Sequence, residues 1–317
     1  MASSNVKGAA LALLAMCLYS THDAIIKYLG TIYPALQILF FSSLLSFPLV
    51  SAVLMRDRNP GSLHPSNPRW IAARTFFSVL GGMSGFYAFS ALPMAQVYAI
   101  IFAAPLLVTI LSIPILGEKV GRHRWIAVAV GLCGVMVVLR PGAQQLQLGH
   151  LAALFAAMGG AAAALIIRKL GRSERPMVLL MWPMLGNFVA TGTSLTFAYR
   201  PMEAQHLALA GCIAVLGLVA GFLLIMAYRA GEATIVAPMQ YSQILWATFY
   251  GWFFFSETLD MATFIGAAII ISSGIYIVWR EGRGNSVNRP VMATRVRPET
   301  ATTPKSTILQ RLWSPKR

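Results

Sequence analysis

Ten times along this chain an apolar stretch recurs that is about as long as a bilayer is thick, and this recurrence limits the possible folds more than any other feature. A helix needs roughly 20 mostly apolar residues to cross the hydrocarbon. Such segments fall near 8–29, 33–55, 70–91, 93–116, 124–140, 149–168, 177–199, 207–228, 233–255 and 261–280. Pro, Gly and charged residues mark most joins, as in the runs from Arg56 to Gly61 and from Arg172 to Pro176. Only 11% of the residues are charged, against about 25% in a soluble domain whose surface must face water. The solvent of this chain is therefore largely lipid, and an all-α integral membrane fold is expected. The first stretch has a positive flank but no A-x-A cleavage signature, and His22, Asp23 and Lys27 follow its apolar part. It reads as an uncleaved first span, not a signal peptide.

Lys and Arg set the orientation. When the loops are assigned alternately, one side receives Lys7, Arg56, Arg58, Arg69, Lys119, Arg122, Arg124, Arg168, Lys169, Arg172, Arg175, Arg229 and the basic C-terminal tail. The other side receives only Lys27, Arg140 and Arg200. The positive-inside rule then predicts both termini in the cytoplasm and an even number of spans. The same distribution answers the formal charge of +15: cations in short runs between apolar segments read as orientation signals and contacts with anionic headgroups, whereas a nucleic-acid binder clusters them on one face.

A duplication underlies the ten segments. The stretch YAFSALPMAQVYAIIFAAPLLVTILSIPILGEKV, from Tyr87, lies on MAYRAGEATIVAPMQYSQILWATFYGWFFFSETL, from Met226, at an ungapped shift of 139. Ala88 falls on Ala227, Ala91 on Ala230, Glu118 on Glu257, and Trp125-Ile126 on Phe264-Ile265. Five helices per copy is an odd number, so the second copy enters the membrane from the opposite side. The expected organisation is thus a first repeat over 8–141, a second, inverted repeat over 148–281, and a disordered basic cytoplasmic tail over 282–317. Inverted repeats are a recurrent plan of secondary transporters, with substrate near the midplane at the repeat interface.

These motifs resemble the drug/metabolite transporter superfamily in its EamA branch. The resemblance rests on Ala91-Leu92-Pro93-Met94-Ala95, Pro105-Leu106 and Leu116-Gly117-Glu118, with second copies from Ala230-Gly231-Glu232-Ala233 to Phe255-Ser256-Glu257. Ser256 stands where Gly117 does in the first copy. Within the superfamily, the run from Thr21 to Leu29 and the run from Tyr241 to Ala247 are similar to a bacterial subgroup that includes riboflavin transporters and S-adenosylmethionine uptake carriers. QILFFSSLLSFPL, from Gln37, is closer to the riboflavin transporters. The resemblance implies uptake of a small heteroaromatic metabolite, riboflavin first, across the bacterial inner membrane. Carriage of S-adenosylmethionine, amino acids or drugs, in or out, is the alternative.

An ionisable side chain inside a span is a functional candidate that needs a partner. Asp23 and Lys27 are i,i+4 on the first helix and can neutralise one another. With His22 they form either an outer gate or vestibule with a proton-sensitive role, or a self-satisfied interfacial pair with Lys27 snorkelling to the headgroups. On the ninth helix, Met239, Gln243, Trp246 and Tyr250 fall within an arc of about 60° at helical spacing, and Gln240 and Tyr241 begin the stripe. Aromatic faces and amides suit a flat heteroaromatic ligand; ordinary helix packing is the competing reading. The fourth helix adds Gln96 and Tyr98, and Pro105, whose missing N–H predicts a kink. Ser78, Gly82, Gly85 and Phe89 read as a small-residue packing face. Arg74 reads as snorkelling, with an anionic partner as the alternative, and Glu118 and Glu257 as caps or staples of the repeats rather than substrate contacts. Cys17, Cys133 and Cys212 read as small buried packing residues.

Other function classes lack machinery in the sequence. Gly82-Met83-Ser84-Gly85 resembles the G-x-S-G of rhomboid proteases, but the expected spans hold only His22 as a partner, so an intramembrane enzyme is the distant alternative. No metal-ligand cluster, ATP-binding loop or filter-like loop is visible. A lipid flippase of the same superfamily would need an apolar cavity, against which Gln243, Trp246 and Tyr250 argue. The expected partners are a small-molecule substrate and membrane lipids, with no nucleic acid and no cofactor; a homodimer is allowed, though no motif demands it.

Overall fold

The computed structural model describes residues 2–55, 64–118, 120–142, 145–170, 173–174, 176–231 and 233–283. Within them lie ten helical segments, one for each stretch expected. These are α1 (Ala2–Gly30), α2 (Ala35–Met55), α3 (Pro68–Ala91), α4 (Met94–Leu116), α5 (Arg122–Leu139), α6 (Leu148–Leu170), α7 (Pro176–Ala198), α8 (Ala204–Ala230), α9 (233–255) and α10 (Met261–Arg283). Five of them, α1, α4, α5, α6 and α8, contain stretches long and apolar enough to cross a membrane by themselves; α2 and α10 carry shorter apolar runs. The Arg56–Gly61 join, Lys119, Arg172, Arg175 and the tail from 284 lie outside the described residues.

The distribution of polarity is that of a protein in lipid. Leu245, Trp252, Phe253 and Phe254 of α9, Ile126 of α5 and Phe264 of α10 point outward, while Ser20, His22, Asp23, Gln37, Arg74 and Asn187 are buried. Hydrocarbon cannot satisfy polar groups, so they gather inside and apolar side chains face out. The same solvent corrects two sequence readings. Cys133 and Cys212 are exposed and Cys17 is only half-buried, because a small apolar thiol needs no protein cover in lipid. Arg74 does not snorkel: it is buried, and its Nη1 donates to the carbonyl of Leu179. Pro183, four residues on inside α7, has no N–H to give that carbonyl, and the guanidinium takes its place.

Packing follows the duplication. α1 packs on α8 as α6 packs on α3; α2 packs on α8 as α7 packs on α3; α5 meets α10, α4 meets α9, and α2 meets α7. Exchanging each helix for the one five places on leaves this set unchanged, as two similar halves related by a pseudo-two-fold axis require. On the expected small-residue face of α3, Gly82 lies beside Asn187 of α7 and Gly85 against Ala156 of α6, while Gly81, outside that face, meets Gly159 and Gly160 of α6.

Two spans are broken, at matching places. α4 consists of Met94–Ile101 and Ala104–Leu116, parted by a turn at Phe102 and Ala103. Pro105 sits in the first turn of the second piece, where its missing N–H costs nothing. α9 opens with a short turn, Ala233–Val236, tightens into a 3-10 helix over Ala237–Ser242 with Pro238 in its first turn, and returns to α-helix over Gln243–Phe255. At the repeat shift of 139, Phe102 and Ala103 fall on Tyr241 and Ser242, the end of that 3-10 segment. Both spans also end alike. Gly117 (φ 72°) and Ser256 (φ 54°) are left-handed caps, and the next amides close back, Glu118 N to Ser112 O (3.4 Å) and Glu257 N to Gly251 O (2.9 Å). Gly takes that conformation freely, whereas Ser carries strain there.

Candidate functional site

The two breaks face each other across a cavity lined by Asp23 of α1, Phe89 of α3, Tyr98, Ile101, Phe102, Ala104 and Pro105 of α4, and Gln240, Tyr241 and Gln243 of α9. Three pairs of this lining are repeat equivalents: Ile101 with Gln240, Phe102 with Tyr241, and Ala104 with Gln243. The rings of Phe102 and Tyr241 meet edge to face, 5.0 Å between centroids, so the repeat axis passes beside the cavity. One copy contributes apolar side chains and the other a phenol and two amides. The open space is about 30 Å³, room for a water or two.

A hydrogen-bonded chain runs from this cavity into α1. Gln243 Nε2 donates to Tyr98 Oη at 3.3 Å, Tyr98 Oη donates to Asp23 Oδ2, and His22 Nδ1 lies 2.7 Å from Asp23 Oδ1. Ser20 Oγ stands 3.4 Å from Tyr98 Oη. The Tyr98 ring is held edge-on by Phe89, at 5.2 Å, and His22 lies edge-on to Phe86, at 6.3 Å. Every member is buried. The Tyr241 hydroxyl is also buried but makes no hydrogen bond; it fits only because residue 274 is Gly, where a Cβ would stand 2.2 Å from it.

Tyr241, Pro105 and Phe89, named from sequence in other roles, line this cavity, and of the residues expected to bind substrate four converge on it: Asp23, Tyr98, Gln240 and Gln243. The others stand elsewhere. Trp246 packs on Ala15, Met16, Tyr19 and Ala220, between α1 and α8. Met239 packs on Ala12, Ala227 and Val236. The Tyr250 hydroxyl bonds Thr21 Oγ1 at 2.8 Å. The stripe does share one side of α9, but that side faces α1, and only its Gln243 end reaches the cavity. Gln96 bonds His150 Nε2 at 3.1 Å, at the α4–α6 contact. Lys27 and Asp23 do not neutralise one another, because each carries a different partner: Lys27 Nζ meets Glu257 Oε1 at 2.7 Å, while Asp23 takes His22 and Tyr98.

A cavity between two broken helices from duplicated halves is the site plan of secondary transporters, and comparison with known proteins agrees. The profile of the EamA-like transporter family matches residues 6–140 and again 147–279. The chain belongs to this family. Among relatives of the drug/metabolite transporter superfamily, the S-adenosylmethionine uptake transporter of Rickettsia bellii is 27% identical over 86% of this chain and 94% of its own. The riboflavin transporter of Rhizobium johnstonii is 28% identical over 66% and 70%, and the pseudopaline exporter of Pseudomonas aeruginosa 26% identical over 83% and 93%. One solved crystal structure superposes with a TM-score of 0.53 at 17% identity, covering 90% of this chain and all of its own, a likeness of fold alone.

In this EamA-like chain each end of α4 is tied to the other repeat by a carboxylate at a repeated position. Glu257 binds Lys27 and accepts from Met94 N at 3.0 Å, while Lys27 also donates to Leu92 O at 2.7 Å and lies 5.4 Å from the Phe255 ring. At the other end of α4, Glu118 binds Arg168, and the neighbouring Lys169 donates to Ile115 O at 2.6 Å and covers the Trp70 ring at 4.0 Å. The carboxylates were expected as staples; their cations were missed. The signal was present in the sequence: Ile25-Ile26-Lys27-Tyr28-Leu29-Gly30 recurs as Ile166-Ile167-Arg168-Lys169-Leu170-Gly171. Its shift is 141, two more than that of the Glu motif, so an ungapped comparison passes over it. Loop contacts repeat the plan. Gln37 Nε2 donates to Arg200 O (2.6 Å) and accepts from Arg200 N (2.9 Å), and Glu174 accepts from the amides of Ser66 and Asn67.

Proposed function

We propose that this chain is a secondary carrier that brings a flat nitrogen heteroaromatic metabolite, riboflavin first, across the bacterial inner membrane by alternating access. The observation that carries the reading is the lining of the cavity: the rings of Phe89, Tyr98, Phe102 and Tyr241 with the amides of Gln240 and Gln243. Rings offer stacking faces and amides read a heterocycle's edge. The two repeats are inverted and both termini are cytoplasmic, a reading supported by the Lys and Arg asymmetry. Lys27–Glu257 then closes the outer side and Arg168–Glu118 the inner. Each must open in turn, because the space between the two breaks is far smaller than such a substrate.

S-adenosylmethionine is the second reading, favoured by the Asp23 carboxylate beside the same rings, which suits a sulfonium cation. The test is uptake of radiolabelled riboflavin and S-adenosylmethionine by riboflavin-auxotrophic bacteria expressing the chain, with Gln243→Leu beside it. Saturable riboflavin uptake weakened by Gln243→Leu supports the proposal; S-adenosylmethionine uptake alone moves the assignment to the second reading; uptake of neither, by chain shown to be folded in the membrane, refutes both.

A further inference from the structure

The Arg168–Glu118 staple borders an open cleft of about 680 Å³, apart from the central cavity. Pro114, Ile115 and Leu116, at the C-terminal end of α4, give the cleft an apolar wall. Arg168 and Lys169, in the last turn of α6, give it a charged one, with Glu118 bound to Arg168. The charges do not cancel. Glu118 is matched by Arg168, whereas the exposed Lys169 donates to Ile115 O and stands over the Trp70 ring, and meets no carboxylate among the described residues. Arg168 Nη1 is buried and makes no hydrogen bond among the described residues. The staple itself does not call for a second cation. At the α1–α6 shift of 141, Arg168 corresponds to Lys27 and Lys169 to Tyr28, so the first copy meets Glu257 with one cation and no surplus. The added charge is a departure of the second copy.

We propose that this cleft binds the headgroup of an anionic phospholipid, whose phosphate sits on Lys169 and gives Arg168 a second acceptor. The cleft lies at the ends of two spans, where hydrocarbon gives way to headgroups, and basic pockets between membrane helices recognise anionic headgroups there. The wall from Pro114 to Leu116 takes the glycerol and the first acyl carbons, and the ammonium and guanidinium take the phosphodiester. A soluble phosphate would use the charged wall alone and leave the apolar one in water. A zwitterionic lipid would bring its own ammonium to a wall that is already positive. The bound headgroup sets the Arg168 guanidinium between two anions, which steadies the contact of α4 with α6. None of this depends on which substrate is carried.

The test is native mass spectrometry of the full chain in detergent, titrated with phosphatidylglycerol or with phosphatidylcholine. The first phosphatidylglycerol should bind several-fold more tightly than the first phosphatidylcholine. Lys169→Gln should weaken it about fivefold, the worth of one cation beside an anionic lipid, while Lys169→Arg keeps it. Arg122→Gln, which removes an exposed cation at the start of α5, should leave it unchanged within about twofold. Phosphatidylglycerol should also raise the melting point of the unaltered chain, and less so that of Lys169→Gln. Equal binding of the two lipids by the unaltered chain overturns the proposal without recourse to any variant. Equal losses in Lys169→Gln and Arg122→Gln mean diffuse attraction to a basic face, and overturn the site. Displacement of phosphatidylglycerol by glycerol phosphate at the same concentration makes the ligand a soluble phosphate, and overturns the lipid.

Discussion

Removing the charges of Glu257 and Lys27 together should cost much less than the sum of removing each alone. Lys27 and Glu257 are 11% and 17% exposed at their side chains, so neither is well solvated. Breaking a buried pair by deleting one member costs about 3–5 kcal/mol, most of it from the charge left behind. The slight exposure of both puts Glu257→Gln near the lower end, at about 3 kcal/mol, and Lys27→Met should be similar. For a chain of this size 1 kcal/mol moves the melting point by about 2 °C, so each single variant should melt about 6 °C lower. The double variant leaves no orphan charge and should fall well short of the sum, with a coupling of about 2 kcal/mol. A thermal-unfolding cycle in detergent reads this directly. Arg140→Gln is the control. Arg140 pairs with Asp260 at 32% and 45% exposure, and an open pair is worth about 1 kcal/mol or less. If the Lys27 and Glu257 effects add within about 0.5 kcal/mol, as independent sites do, the pair is no staple.

Three further outcomes follow from the geometry. Ser256→Gly should raise the melting point by about 2 °C, because Gly relieves about 1 kcal/mol of left-handed strain at φ 54°; the same change measured in Gly117→Ser should run the other way. Gly274→Ala should push the Tyr241 hydroxyl into the cavity, since the new Cβ would stand 2.2 Å from it, and radioligand saturation should show the KM for uptake rising more than the maximal rate falls. Trp246→Ala should lower the melting point yet leave the KM unchanged, since Trp246 packs on α1 and α8 outside the cavity, whereas Gln243→Leu should raise the KM about fivefold to tenfold through loss of one buried hydrogen bond.

The ten helices were legible because each carries a largely apolar stretch about as long as the bilayer is thick, and the duplication because its Glu motif carries no insertion between copies. What escaped was what backbone irregularity decides. Pro105 announced a disturbance in α4, but the turn falls at Phe102 and Ala103, ahead of the proline, since a proline is tolerated in a first turn and not after one. The arc drawn through Met239, Gln243, Trp246 and Tyr250 assumed uniform α-helix, although Ala237–Ser242 is 3-10. It also could not tell whether a shared face looks toward a cavity or toward α1. The i,i+4 pairing of Asp23 with Lys27 was sound local geometry, overruled because Glu257 reaches Lys27 from 230 residues away while Tyr98 and His22 hold Asp23.

Duplication also explains why the cavity is chemically lopsided. Two equal halves place equivalent residues on opposite sides of one axis, so an unmodified duplicate would face Ile101, Phe102 and Ala104 with copies of themselves. Such a lining could hold something apolar but could not orient it. The second copy has Gln240, Tyr241 and Gln243 at those positions, which supplies donors and acceptors there, while the first copy's polar groups, Asp23 and Tyr98, come from other positions. Asp23 shows the same divergence: at the α1–α6 shift of 141 its equivalent is Ala164, a residue that cannot ionise. The ends of the spans, by contrast, kept their chemistry in both copies, with Glu118 and Glu257 each meeting a cation. Selection that holds the staples alike and lets the lining diverge is what a carrier requires. Closure must work on both faces, whereas recognition needs to exist only once.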